Sequence, residues 1–118
     1  MASTLSNNGK HAALDGLAAV AVYASLHTDD PSTTGANEVA GGSPAYARKA
    51  AAWAAASGGS VALAATLPVF DVPAGTTVKY VGLWSALTTG TFYGAWDVTD
   101  EAYVAQGTYT VASGSVSL

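Results

Sequence analysis

The clearest pattern in the chain is an alternation of apolar with polar or small residues, which is typical of half-buried β-strands. It begins over Val20–His27 and returns in residues 61–69, 78–85, 92–98 and from about 107 to 118. Turn sequences rich in Gly and Pro separate these stretches, for example Pro73-Ala74-Gly75. Short alternating strands at this spacing predict an all-β fold, an antiparallel β-sandwich of the jelly-roll or immunoglobulin-like type.

The first 19 residues have a different pattern. Residues 1–9 are small and polar and predict a short N-terminal arm. In residues 10–19, Leu14, Leu17 and Ala18 recur at helical spacing and predict a short helix, with Asn7 or Asn8 as its N-cap. A chain of 118 residues fits one domain. The predicted organisation is therefore an arm and helix in 1–19, followed by a single β-sandwich domain in 20–118.

Residues 45–57, AYARKAAAWAAAS, allow two interpretations. The high helix propensity of alanine favours a helix, although Tyr46 and Trp53 would then be its only large anchors. The neighbouring strands favour a strand in which small side chains let two layers approach closely. The second interpretation is preferred, and the pattern alone does not decide between them.

The charge content limits the partners that the chain can bind. Only 10% of the residues are charged, the net charge is −4, and the basic residues are Lys10, Arg48, Lys49 and Lys79. Nucleic acids and anionic membranes both require clustered Lys and Arg, so neither is an expected partner. So few charges suit a subunit that hides much of its surface in an assembly. Residues 1–10 are polar, so we expect synthesis in a cytoplasm without a cleaved signal.

The residues that catalysis or metal binding would need are scarce. His27 ends the first strand beside Asp29 and Asp30, and Glu38 lies in the same loop. A metal site or a His–Asp pair is one interpretation, but the spacing fits neither a calcium loop nor a zinc ligand set. The favoured interpretation is that the aspartates form a turn and that His27 is a surface or loop-packing residue. We therefore predict no catalytic residue, no metal and no cofactor.

Two further groups of side chains have a functional and a structural interpretation. The acidic residues Asp97, Asp100 and Glu101 resemble a solvated turn more than a glycosidase pair. The aromatic residues would line a carbohydrate-binding face or, more simply, anchor the core and its interfaces. These aromatic residues are Trp53, Tyr80, Trp84, Phe92, Tyr93 and Trp96.

A long motif supplies the most specific information in the sequence. It reads Tyr23-Ala-Ser-Leu-His27-Thr-Asp-Asp-Pro31, then Thr34-Gly-Ala-Asn-Glu38-Val-Ala-Gly-Gly-Ser, then Tyr46-Ala-Arg48. With Phe70-Asp-Val-Pro73 and Val81-Gly-Leu-Trp84, it resembles a family of small virion proteins of actinobacterial phages and prophages. The resemblance covers roughly residues 12–118. The chain departs from the pattern at Ser43-Pro44-Ala45 and in the alanine run 50–56.

This resemblance implies a non-enzymatic structural protein of the virion, of the tail fibre or minor tail type. A capsid-decoration protein is the alternative, and a carbohydrate-binding module for host attachment is a further one. The implied partners are other copies of the chain and the phage tail or major capsid protein, with a host glycan in the last case. The candidate interface or docking residues are His27, Asp29, Asp30, Glu38, Tyr46, Arg48 and Trp84.

Overall fold

The computed structural model describes residues 4–64, 68–111 and 114–118. Its elements in chain order are α1 Asn7–Val20, β1 Tyr23–His27, β2 Lys49–Ala50, β3 Ser60–Ala62, β4 Val69–Val72, β5 Thr76–Trp84, β6 Phe92–Tyr103, β7 Gly107–Thr110 and β8 Ser115–Ser117. A four-stranded sheet has the order β2-β1-β5-β6, and β3-β8 and β4-β7 form two smaller sheets. All of these pairings are antiparallel.

The predicted β-rich antiparallel class is thus confirmed, and the arrangement is compatible with a sandwich. The choice between jelly-roll and immunoglobulin-like types stays a prediction, as does the division into 1–19 and 20–118. None of the helical residues described forms a segment with the length and hydropathy of a membrane span.

Helix α1 begins earlier than the pattern predicted. Ser6, not Asn7 or Asn8, is the N-cap, because its hydroxyl accepts a hydrogen bond from the Gly9 N–H at 3.1 Å. The helix continues through Val20, so the strand predicted from Val20 begins only at Tyr23. Leu14 is the one buried residue of α1, and the helix packs against β3.

Strand β1 lies in the middle of the core and is buried on both faces. The predicted half-buried strand is therefore wrong in this respect: from Ala24 to His27 every residue is buried. One face, with Ala24 and Leu26, joins the main apolar cluster. The other face carries Ser25 and His27, and a loop covers it. The apolar cluster comprises Ala24, Leu26, Val39, Ala51, Phe70, Val72, Val78, Val81, Tyr109 and Val111.

The alanine-rich segment 45–57 contains no helix. It runs alongside β1 and β3 through the two-residue strand β2 and isolated bridges that join Trp53 to Leu63 and Ser57 to Ser60. The Ala54 N–H donates to the carbonyl of Ala62, and the Ala64 N–H donates to that of Ala52. These non-local hydrogen bonds outweigh the weak intrinsic preference of alanine for a helix.

The predicted acidic turn at Asp97–Glu101 is wrong, because these residues lie inside the twelve-residue strand β6. The pairing register with β5 shifts by two residues here, so that Val98, Thr99 and Asp100 of β6 stand opposite Lys79 alone. The sequence looked turn-like because Asp97, Asp100 and Glu101 are charged and lie exposed on this strand.

Some predicted elements extend beyond the described residues. The predicted strand over 61–69 is represented by the end of β3 and the start of β4, and residues 65–67 lie outside the described part. The predicted strand over 107–118 appears as β7 and β8, with residues 112–113 outside the described part. Of the predicted arm, residues 1–3 also lie outside it.

Candidate functional site

The loop that follows β1 folds back along that strand. The Thr28 N–H donates to the Asn37 carbonyl, and the Val39 N–H donates to the Leu26 carbonyl. At its far end Asp30 accepts a hydrogen bond from the Ser32 N–H at 2.8 Å, which is the turn role expected for this aspartate. The loop is consequently a fixed cover over the Ser25 and His27 face of β1.

Beneath this cover lies a short chain of buried hydrogen bonds. The Trp84 indole N–H donates to the Ser25 hydroxyl at 3.0 Å, and Ser25 Oγ lies 2.7 Å from His27 Nε2. His27 Nδ1 lies 2.8 Å from the carbonyl oxygen of Ala36. Because a carbonyl only accepts, Nδ1 carries the proton, and Nε2 accepts from Ser25. With a neutral imidazole, every donor and acceptor in this series of hydrogen bonds from Trp84 to Ala36 then has a partner.

The Ser25–His27 pair has the hydrogen bond of a catalytic Ser–His dyad, but its surroundings suit a structural role. Both residues are 0% exposed. In serine hydrolases the imidazole Nδ1–H is oriented by a carboxylate, whereas here it donates to a backbone carbonyl. Neither Asp29 nor Asp30 is a hydrogen-bond partner of His27, so the predicted alternative of a His–Asp pair is wrong.

We expect stability to fall as the pH drops below about 6.5, the ordinary pKa of histidine. Burial lowers the pKa of His27; the Ala36 carbonyl and Glu38 oppose this shift, and Arg48 adds to it. Since the unfolded chain takes up the proton first, stability is complete above that pKa and is lost as the pH falls toward the folded value. NMR titration of the His27 ring beside denaturant unfolding at several pH values tests this. A His27 midpoint at or above 6.5 would contradict it.

A second network, adjacent to the first, is centred on Glu38. Arg48 Nε and Nη2 donate to the two Glu38 carboxylate oxygens, each at 2.9 Å, in a bidentate pair. The Tyr46 hydroxyl donates to Glu38 Oε2 at 2.8 Å and accepts from the Leu26 N–H at 3.0 Å. Burial, the largest cause, and the Glu38 carboxylate raise the pKa of Tyr46 far above its ordinary value, so it remains a donor.

Arg48 also joins this network to the loop between β5 and β6. Its Nη1 donates to the carbonyls of Ala86 and Thr89 at 2.9 and 2.8 Å. Its guanidinium stacks on the Trp84 ring, 3.7 Å from the ring centroid. Trp84 therefore contacts both networks, with the indole nitrogen bound to Ser25 and the ring face against Arg48.

Two glycines make room for these contacts. A Cβ at Gly82 would lie 2.5 Å from Ser25 Oγ and 2.6 Å from His27 Nε2. Gly35 has a φ of +76°, and a Cβ there would lie 2.6 Å from Cη2 of Trp84. The packing of the two networks thus explains two glycines of the motif, Gly35 and Gly82.

The seven predicted docking residues differ in their exposure. His27, Arg48 and Trp84 are buried, Glu38 and Tyr46 are half-buried, and Asp29 and Asp30 are exposed. The structure connects Glu38, Tyr46, Arg48 and Trp84, and His27 joins them both through the Ser25 hydroxyl and as the β-bridge partner of Glu38. It leaves the two aspartates at the loop surface. Docking stays a prediction, and of these seven residues only Asp29 and Asp30 have exposed side chains.

The three tryptophans also differ. Trp84 is buried, whereas Trp53 and Trp96 are half-buried; the Trp53 indole N–H donates to the Ala21 carbonyl at 2.8 Å. The carbohydrate-binding alternative therefore stays untested. Across residues 4–64, 68–111 and 114–118, no group of three or more His, Cys, Asp or Glu side chains is placed to hold a metal ion.

Sequence reasoning missed Ser25, Gly35 and Gly82. Ser25 was detectable, because residues i and i+2 share one face of a strand and His27 is two positions further along. The role of Gly82 depends on the pairing of β5 with β1, which places Gly82 opposite Ser25. Local patterns contain no information about that register.

The described residues thus form two buried polar networks, covered by a loop, on a small β-rich scaffold. The chain belongs to the family described as Podophage GP4 fiber I protein gp80, whose family model matches residues 2–118. No curated protein and no solved structure matched the chain. Family membership gives the protein a structural role of the phage tail fibre type and associates it with the virion. The expected actinobacterial origin stays a prediction.

Proposed function

We propose that this chain is an accessory subunit of the phage tail that oligomerises and has no catalytic activity. The observation that carries the proposal is the match of a phage fibre family over residues 2–118, essentially the entire chain. Because the match covers residues 2–118, the fibre-type role refers to the helix and all the strands described above.

The surface of the chain supports self-association. Among the described residues the only ion pair is Arg48–Glu38, and Arg48 is buried. Large apolar side chains are exposed instead, the extreme case being Val104 at 95%. Exposed apolar groups with few surrounding charges favour burial against a neighbour. Further exposed residues of this kind are Leu5, Val20, Val22, Val69, Leu87, Tyr93 and Leu118.

Copy number in purified particles tests the placement. We expect a few to a few tens of copies per particle, measured by quantitative mass spectrometry against the major capsid protein. Light scattering of the isolated chain is expected to report an oligomer. Hundreds of copies would contradict the tail placement and favour capsid decoration, and absence from the particle would contradict both.

A further inference from the structure

Among the described strands, none covers the second edge of β6. Strand β6 is the last strand of the four-stranded sheet and pairs only with β5 within the described residues. A cleft of about 730 Å³ runs beside it, lined by all six consecutive residues of Trp96–Glu101. Side chains of a regular strand alternate between faces, but the bulge at Val98–Asp100 interrupts this alternation, so consecutive residues of β6 line the same cleft. Over six residues this edge is roughly 20 Å long.

The opposite wall of this cleft is formed by Tyr109 and Thr110 at β7 and by Gly114 and Ser115 at the start of β8. We refer to this cleft beside the edge of β6 as the slot. The indole nitrogen of Trp96 is buried in this region and donates to no acceptor among the described residues. An open slot beside an unpaired strand edge has the shape that an added strand fills.

The slot is acidic. Asp97, Asp100 and Glu101 line it, and none of them has a cationic partner in the part of the chain described. Partial burial raises the pKa of Tyr80 on the neighbouring strand, and the carboxylates of Asp30, Asp97, Asp29 and Asp100 add to the shift. Five of the chain's acidic residues thus lie around this end of the sheet. A second copy that offered the same edge would be repelled, and a basic segment would be attracted.

We propose that this slot receives an extended segment of a neighbouring virion protein that carries Lys or Arg side chains and pairs with β6 as an added strand. That the neighbour is a virion protein rests on the proposed function. The unpaired backbone edge of β6 supplies hydrogen bonds to the added strand. The three carboxylates attract the Lys or Arg side chains of that segment. The bulge at Val98–Asp100 bends β6 where the carboxylates lie and leaves its extra residues without a partner on β5.

Peptide titration of the full chain tests the proposal. The probe is a short capped peptide of alternating valine and lysine, and the control peptide has glutamate in place of lysine. We expect the lysine peptide to bind and to slow hydrogen exchange of the β6 amides from Trp96 to Glu101. The triple variant Asp97→Asn, Asp100→Asn, Glu101→Gln is expected to bind it about tenfold more weakly, as the loss of exposed ion pairs predicts.

The control variant Asp71→Asn removes a charge from β4, outside the slot, and is expected to bind the peptide like the unmodified chain. Equal affinity for both peptides, no binding, or protection away from β6 would each overturn the proposal. If the unmodified chain bound no peptide and the triple variant self-associated, the carboxylates would serve only to prevent the β6 edges of two copies from pairing, and the proposal would be wrong. The copy number in particles is measured independently, so failure here is distinguishable from failure of the tail placement.

Discussion

Replacing Arg48 with leucine is expected to lower the free energy of unfolding by about 3 kcal/mol, in the range measured when one partner of a buried ion pair is removed. The change leaves the Glu38 carboxylate without its cation and frees the carbonyls of Ala86 and Thr89. It also removes the cation that stacks on Trp84. Glu38 retains 23% exposure, so water relieves part of the cost and the lower end of the range applies. Urea unfolding followed by circular dichroism measures the loss.

The neighbouring residue supplies a matched control. Lys49 is half-buried on β2 and has no ion-pair partner among the described residues, so Lys49→Leu is expected to change stability by less than about 1 kcal/mol. Arg48→Lys keeps the charge but loses the planar fork, and we expect an intermediate loss. Equal effects of Arg48→Leu and Lys49→Leu would show that the Glu38 network contributes nothing to stability.

The sequence singled out several residues of this network but did not predict the contacts between them. His27, Glu38, Tyr46 and Arg48 were selected as one group because they belong to one motif, and the structure does place them in one region. The resemblance offered these residues as candidate docking residues, and docking stays a prediction. What the sequence did not predict is their burial under the loop over β1, whose return path depends on hydrogen bonds between distant residues. Such contacts are invisible in a local pattern.

In the strands too, a local sequence pattern predicts some features, whereas others depend on pairing between distant residues. The alternation in β5 and β6 was visible, and it predicted the antiparallel β-rich class correctly. The bulge opposite Lys79 was not predictable, because it is a property of the register between two strands. The alanine-rich segment had no decisive local pattern, and its cross-strand hydrogen bonds determine its extended form.

Replacing Gly35 with alanine is expected to destabilise the fold by about 3 kcal/mol. About 1 kcal/mol comes from a non-glycine residue at positive φ, and the rest from forcing a methyl group against Trp84 in a filled core. The Trp84 ring cannot move away freely, because Arg48 stacks on it and Ser25 accepts from its indole N–H. Chemical denaturation measures the loss, and near-ultraviolet circular dichroism reports the environment of the ring.

Gly75 provides the control for the backbone contribution. Its φ is also +76°, and a Cβ there would meet nothing within 4 Å. Gly75→Ala is therefore expected to cost only the backbone part, about 1 kcal/mol, and to leave the near-ultraviolet spectrum unchanged. The difference between the two variants isolates the contact with Trp84. If the two variants lost the same stability, the Trp84 ring would be able to move aside without an energetic cost. Gly35 would then be required only by the backbone conformation of the turn and not by packing against Trp84.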